Sequence, residues 1–250
     1  MQHRVAWSHF GGTWGLPGGA RHEGESAIRG AVREAQEEAG VPDGAVRPRA
    51  MSVLDLKIWS YATVIADVVT PFEPVISDPE SVALEWVPIA DVDTRELHPG
   101  LAEAWPRLRE WLDVRPAVVV DSANVVGAVP DGWWKDRAGA TNRLRDQLTR
   151  WHESGVEATV LGVGLDRWFP EVSLVVEGDA RSVEESENVG EVRLVRAPGA
   201  GDDAIVSETE RRISEGNAVT AVTSDKELRT RLEAVGARVE PAGWLRAQLD

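Results

Sequence analysis

Residues 19–41 read GARHEGESAIRGAVREAQEEAGV, and the spacing of their charged residues decides how the chain is understood. Gly19–Gly24 is rich in turn formers. From Glu25 to Ala39 the small and apolar residues Ala27, Ile28, Ala31, Val32 and Ala35 recur on one side, which predicts an amphipathic helix. Gly40 supplies a natural left-handed stop for it. Glu34, Glu37 and Glu38 stand at i, i+3 and i+4, so three carboxylates share one helical face. Left to themselves they repel one another and destabilise the helix. Hard divalent cations prefer oxygen ligands of this kind, and Mg²⁺ bridges readily to phosphate oxygens.

Counted from Gly19, the order is Gly, five residues, Glu25, seven residues, Arg33-Glu34, two residues, Glu37-Glu38, one residue, Gly40. At ordinary residue usage seven fixed positions coincide by chance about once in 10⁸ starts. An isolated Glu-Glu pair is most often a solvated helix face; the complete spacing is not. It resembles the Nudix box, with Ala35 standing where a bulkier aliphatic is usual. The flanking Trp14-Gly-Leu-Pro-Gly-Gly and the strand Tyr61–Asp67 are similar to the same family.

The resemblance covers about the first 112 residues and implies a Nudix α/β/α sandwich with a mixed sheet. It implies Mg²⁺ (or Mn²⁺) held by Glu37 and Glu38, with Glu34 as an added ligand or base. The Gly19 carbonyl completes the coordination, and Glu25 with Arg33, eight residues apart, forms an orienting salt bridge. An acid near the late strand, Glu80 or Glu85, is a candidate supplementary base. The family has a strand before the segment resembling His3–Trp7, whereas this chain starts at Met1; either a start lies upstream or the sheet lacks its first strand.

Outward from the box, strand-like runs are expected at Met51–Leu56, Ile58–Val69 and Val82–Pro88, and a helix from Gly100 to Leu112. The helix ends before Pro116, which places a domain boundary between 114 and 115. Residues 115–250 alternate short apolar strands with helices: strands at Ala117–Val120, Ala158–Gly162, Leu174–Glu177, Val192–Arg196 and Ala218–Val222; helices at Arg137–Glu153, Asp203–Glu215 and Lys226–Val235. Such alternation predicts an α/β domain with a parallel sheet covered on both faces.

Ligands of parallel sheets collect at the carboxyl ends of the strands. Asp121 and Asn124 follow the opening strand, Asp202 and Asp203 stand at a helix start, and Asp225 follows a late strand. This pattern is similar to the NYN/PIN-like ribonuclease domains, in which acids at these places form a metal-dependent nuclease site. Taken singly, Asp202 or Asp203 reads better as an N-cap, and Ser224-Asp225 as the cap of the helix beginning at Lys226. Trp133, Trp134, Lys135, Arg137, Arg143, Arg145, Arg150 and Trp151 combine aromatic and cationic side chains, so RNA is the partner this domain would take. An amphipathic helix with core-packed tryptophans is the plainer reading.

A formal net charge of −15 excludes a general nucleic-acid coat. Neither half is basic: residues 1–114 carry 10 Lys and Arg against 18 Asp and Glu, residues 115–250 carry 17 against 24. With no cysteine there are no disulfides, thiolate metal sites or cysteine nucleophiles. No apolar run reaches membrane-spanning length and no signal peptide stands at the N-terminus, so the expected compartment is the cytoplasm. Three functions fit these features. One is a Mg²⁺-dependent pyrophosphohydrolase of nucleoside di- or triphosphate derivatives, of which MutT-like removal of oxidised deoxynucleotides is one version. Another is a PIN-like ribonuclease with a non-catalytic, nucleotide-sensing Nudix module. The last is a non-catalytic RNA-associated scaffold. The family resemblance also implies a homodimer.

Overall fold

The apolar stretches after the Gly40 stop pair with each other. The computed structural model describes residues 1–129, 132–183 and 192–249. In it the chain divides into two units, one made of Met1–Asp113 with Gly164–Arg167, the other of Val114–Val163 with Trp168–Asp250. Both have α/β architecture.

In the first unit β1 (Gln2–Arg4) lies between β2 (Trp14–Gly15) and β5 (Ser81–Leu84), antiparallel to both. β3 (Val46–Asp55) and β4 (Ser60–Val68) form a long antiparallel hairpin with an irregularity at Pro48, where proline cannot donate to the ladder. A single parallel bridge joins Trp14 to Leu97. The box helix α1 spans Ala27–Ala39. Ser26 caps its start by accepting the Arg29 N–H, and Gly40 closes it at φ 64°. α2 (Pro99–Arg109) begins at a proline, which has no N–H to leave unsatisfied there, and buries Leu101, Trp105 and Leu108. Asp166 of the returning segment receives the Val53 N–H and pairs with Arg107.

In the second unit β6 (Pro116–Asp121) is buried along its whole length. It is followed by α3 (Ser122–Gly127), α4 (Arg137–Ser154), β7 (Val156–Glu157) and α5 (Ala158–Leu161), and β8 (Arg167–Trp168) begins on the last residue of the segment that belongs to the first unit. Then come β9 (Glu171–Val176), β10 (Val192–Arg196), α6 (Gly201–Ser214), β11 (Ala218–Val222), α7 (Lys226–Ala234), β12 (Arg238–Glu240) and α8 (Ala242–Leu249). Five strands pair in the order β10-β9-β6-β11-β12, every pair parallel. Ala117 and Val119 pack with Ile205 of α6 and with Leu228 and Leu232 of α7. Val118 and Val120 point to the opposite face and are fully buried there. A strand sealed on both faces must be apolar along its run, and Pro116–Val120 is, up to Asp121 at the strand's end.

One expected element is corrected. Ala158–Gly162, read as a strand, is the short helix α5, closed by Gly162 at φ 69° whose N–H returns to Ala158 and Thr159. A run of four apolar or β-branched residues cannot be told from a buried helical turn by periodicity, and the glycine stop decides it here.

Candidate active site

The capping of α1 fixes which side chains its outer face presents. Arg33 holds Glu25 with both ends of its guanidinium, Nε to Oε1 and Nη2 to Oε2, each at 3.1 Å. Its Nη1 also meets Glu34 at 2.8 Å and Glu37 at 3.2 Å, and Nη2 donates to the Ala20 carbonyl at 3.0 Å. One cation thus gathers three carboxylates and the loop before the helix. The Arg33 contact, helped by the His22 N–H, holds the Glu25 carboxyl down at about 2.

Glu38 stands apart from that network. Its Oε2 accepts the Gly18 N–H at 3.0 Å and the Gln2 amide at 3.3 Å. Burial pushes its carboxyl above the ordinary range, Asp78 and Glu34 push the same way, and the Gly18 hydrogen bond opposes them. Gly19 lies against the other acid: a Cβ built there would sit 2.6 Å from Glu34 Oε2. The Gly18-Gly19 segment is therefore a cradle set against two of the three helix carboxylates. A cleft of 650 Å³ opens beside it, lined by Pro17–Ala20, by Ala27, Ala31 and Ala35 of α1, and by Trp59 and Tyr61. Of the acids near the late strand, Glu80 pairs with Arg4 at 3.3 Å and Glu85 with Arg95 at 2.7 Å. Asp78 is the one whose charge reaches Glu38.

The second set of acids lies in the other unit. Asp121 ends β6 and is buried; it accepts the Asn124 N–H at 3.0 Å and the Thr223 hydroxyl at 2.9 Å. Asn124 accepts the Ser224 N–H at 2.9 Å. Asp225 caps α7 through the Glu227 and Leu228 N–H groups. Asp202 and Asp203 stand in the first turn of α6, but neither caps it; Glu177, just beyond β9, accepts the Gly201 N–H at 2.8 Å. Asp203 turns to Arg231 at 2.6 Å. Burial raises the Asp121 carboxyl, and Asp202 and Glu177 add to it. Burial also raises Asp202, with Asp225 and Glu177 adding to it. Asp121, Asp202, Asp225 and Glu177 therefore share one electrostatic neighbourhood at the strand ends. Among the described residues, no three His, Asp or Glu side chains in either unit are gathered into a ready-made metal cluster.

The aromatic and basic strip is corrected at one position. Trp151 is core, packed on the buried side of α4 with Leu144 and Leu148, and offers no stacking surface. Trp134 is exposed, and Arg137 lies 5.4 Å over the Trp133 ring. Among the described residues, no helix is long and apolar enough to cross a membrane.

Three residues at these sites, Gln2, Ser81 and Glu177, were not singled out in the sequence. Gln2 and the Asp78–Ser81 turn meet Glu38 only through the pairing of β1 with β5. Glu177 had a usable signal, as an acid at the carboxyl end of a buried strand.

Comparison with known proteins bears on the first unit. The NUDIX domain family model matches residues 1–111. The Mycobacterium tuberculosis protein named "Putative 8-oxo-dGTP diphosphatase 3" is 45% identical over 115 residues, covering 44% of this chain and 52% of that one. A Bifidobacterium longum "Nucleoside triphosphate pyrophosphatase/Nudix hydrolase fusion protein" is 44% identical over 115 residues, 45% of this chain and 24% of its own length. The crystal structure of RenU, a Nudix hydrolase from M. smegmatis, is 44% identical and covers 44% of this chain and 71% of that one, with a TM-score of 0.41. The chain thus spans about half or less of the two curated relatives.

Proposed function

Over residues 1–111 the chain belongs to the NUDIX domain family, and on that premise we propose that it is a divalent-metal-dependent pyrophosphohydrolase of nucleoside di- or triphosphate derivatives. The observation that carries this reading is the Gly18-Gly19 cradle. Its backbone donates to Glu38, and its second glycine leaves room for the Glu34 carboxylate where any side chain would collide. The donor set, three carboxylates and a backbone carbonyl, suits a hard cation.

In this reading Glu37 and Glu38 are the principal ligands of Mg²⁺ or Mn²⁺, joined by Glu34 as ligand or base and by the Gly19 carbonyl. The ion, when bound, neutralises diphosphate charge and lowers the pKa of the attacking water. Arg33 keeps Glu34 and Glu37 on one side of the helix and, through Glu25 and the Ala20 carbonyl, fixes the loop that faces them. The adjoining cleft receives the nucleoside, with the half-exposed Trp59 and Tyr61 available for stacking on a base. An oxidised deoxynucleoside triphosphate is the first substrate to try, since the M. tuberculosis relative carries that name.

A screen of nucleotides and nucleotide sugars with Mg²⁺, reading released phosphate and pyrophosphate, tests the proposal. Turnover abolished by Glu37→Gln or Glu38→Gln supports it; no release from any compound sinks it.

A second reading concerns the other unit. The acids at the strand ends of its parallel sheet favour a metal-dependent, NYN/PIN-like ribonuclease, with Asp121, Asp202 and Asp225 as the principal acids and Asn124 and Asp203 beside them. RNA cleavage that is lost in Asp121→Asn and kept in Glu38→Gln supports it. RNA left intact by the unsubstituted chain removes it.

A further inference from the structure

Gln2 is polar yet wholly buried on β1. Its amide nitrogen donates to Ser81 Oγ at 2.8 Å and reaches Glu38 Oε2 at 3.3 Å. The Ser81 hydroxyl donates in turn to Asp78 Oδ1 at 2.5 Å. The direction of that last bond matters. A hydroxyl that has given its proton to a carboxylate can only accept from Gln2, so the amide must turn its nitrogen toward Ser81 and Glu38. Its oxygen is left buried without a partner.

An unsatisfied buried acceptor costs free energy and is uncommon without a compensating role. Here the compensation is visible. With Gln2 on one side and the Gly18 N–H on the other, Glu38 Oε2 is held by two donors from separate elements. Oε1 makes no hydrogen bond to the described residues.

We propose that Gln2 is a positioning residue, which the Asp78–Ser81 pair locks so that it aims the free oxygen of Glu38 at the metal. The inference rests on the reading of residues 1–111 as a metal-dependent hydrolase. Gln2 touches neither metal nor substrate; it acts through Glu38. Groups that orient a metal ligand cost about 10- to 100-fold in affinity or activity when removed.

The test uses the full chain and Mn²⁺ as the probe, without substrate, reading free Mn²⁺ by its paramagnetic resonance signal. Gln2→Leu is expected to bind Mn²⁺ about tenfold more weakly, with kcat lowered about 10- to 100-fold and KM within about twofold. Ser81→Ala keeps the Gln2–Glu38 contact but frees the amide to turn, so it should show a smaller loss of the same kind. It also serves if Gln2→Leu does not fold. Circular dichroism and thermal melting establish folding in each. Mn²⁺ affinity within twofold of the parent in folded Gln2→Leu, or in Ser81→Ala if only that variant folds, overturns the inference and leaves the hydrolase reading standing. Failure of the unsubstituted chain to bind Mn²⁺ overturns the metal reading, and the inference with it.

Discussion

Gly19→Ala separates what the fold needs from what the site needs. Gly19 has no positive φ, so an alanine there strains no backbone torsion. What alanine adds is a methyl group 2.6 Å from Glu34 Oε2 and 2.7 Å from its carboxyl carbon and Oε1. Ordinary contact begins at 3.4 Å, so the carboxylate must retreat by about 0.8 Å. Since a carboxylate is the far end of a flexible side chain, the fold can absorb this. The expected stability change is within about 0.5 kcal/mol, and the stiffer unfolded chain offsets part of it. The site cannot absorb it as easily, because Glu34 is tied to Arg33 at 2.8 Å and moves in concert with it. A misplacement near 1 Å costs about 10²-fold in rate, equivalent to about 2.7 kcal/mol. Steady-state hydrolysis and a thermal melt should therefore diverge, with activity down about a hundredfold and the melting temperature nearly unchanged. Gly18→Ala is the internal comparison. Its added methyl meets only the Tyr61 hydroxyl at 3.7 Å, and it should lose far less. Activity of Gly19→Ala within threefold of the parent, or equal losses in the two variants, would refute the crowding argument.

Glu38→Gln removes a carboxyl that burial, Asp78 and Glu34 hold above its ordinary range. Charge on that group destabilises the metal-free fold as pH rises through its folded pKa, so the variant should melt higher in EDTA at pH 7 while losing hydrolysis; a lower melting temperature contradicts this. Glu25 has the opposite sign. Its carboxyl sits at about 2 against an ordinary 4.5, so its contribution is complete above pH 4.5 and fades as pH falls toward 2. Acid titration of stability should flatten over that window in Glu25→Gln. Asp121→Asn should leave nucleotide hydrolysis within twofold and abolish any RNA cleavage, measured on the same preparation. Leu228→Ala, at a wholly buried position, should cost about 2–5 kcal/mol in a urea melt; under 1 kcal/mol would mean the core beneath α7 is not packed as described.

How much of this was legible in the sequence depends on how far apart the interacting residues lie. α1, its glycine stop and the pairing of Glu25 with Arg33 arise within a few turns of chain, so spacing alone reveals them, whereas the further contacts of Arg33 with Glu34 and Glu37 were not read there. The alternation of strands and helices in the second half was legible for the same reason, because each period is local. Gln2 was not. Its meeting with Glu38 needs the register that sets Gln2 opposite Leu84, a pairing across most of the first unit. The capping of α6 by Glu177 rather than by its own first-turn acids likewise depends on β9 and α6 being neighbours in space. At Ala158–Leu161 the local signal was ambiguous, and at Trp151 an aromatic in a basic stretch was core.

The two acid groups differ in how their charge is balanced, and the difference bears on what each can bind. In the first unit Arg33 touches Glu25, Glu34 and Glu37, so one fixed cation faces three carboxylates, while Glu38 is tied to backbone and amide donors instead. The helix face is arranged yet still net negative, which is the condition for holding a divalent cation without paying to assemble its ligands. In the second unit Arg231 is turned to Asp203, while burial raises the carboxyls of Asp121 and Asp202, with Asp202 and Glu177 adding at the first and Asp225 and Glu177 at the second. Burial and neighbouring acids both favour the protonated forms there, so metal binding at these carboxyls competes with protons. Metal binding at both groups should accordingly weaken as pH falls, because Glu38 in the first and Asp121 and Asp202 in the second all hold carboxyls raised above the ordinary range.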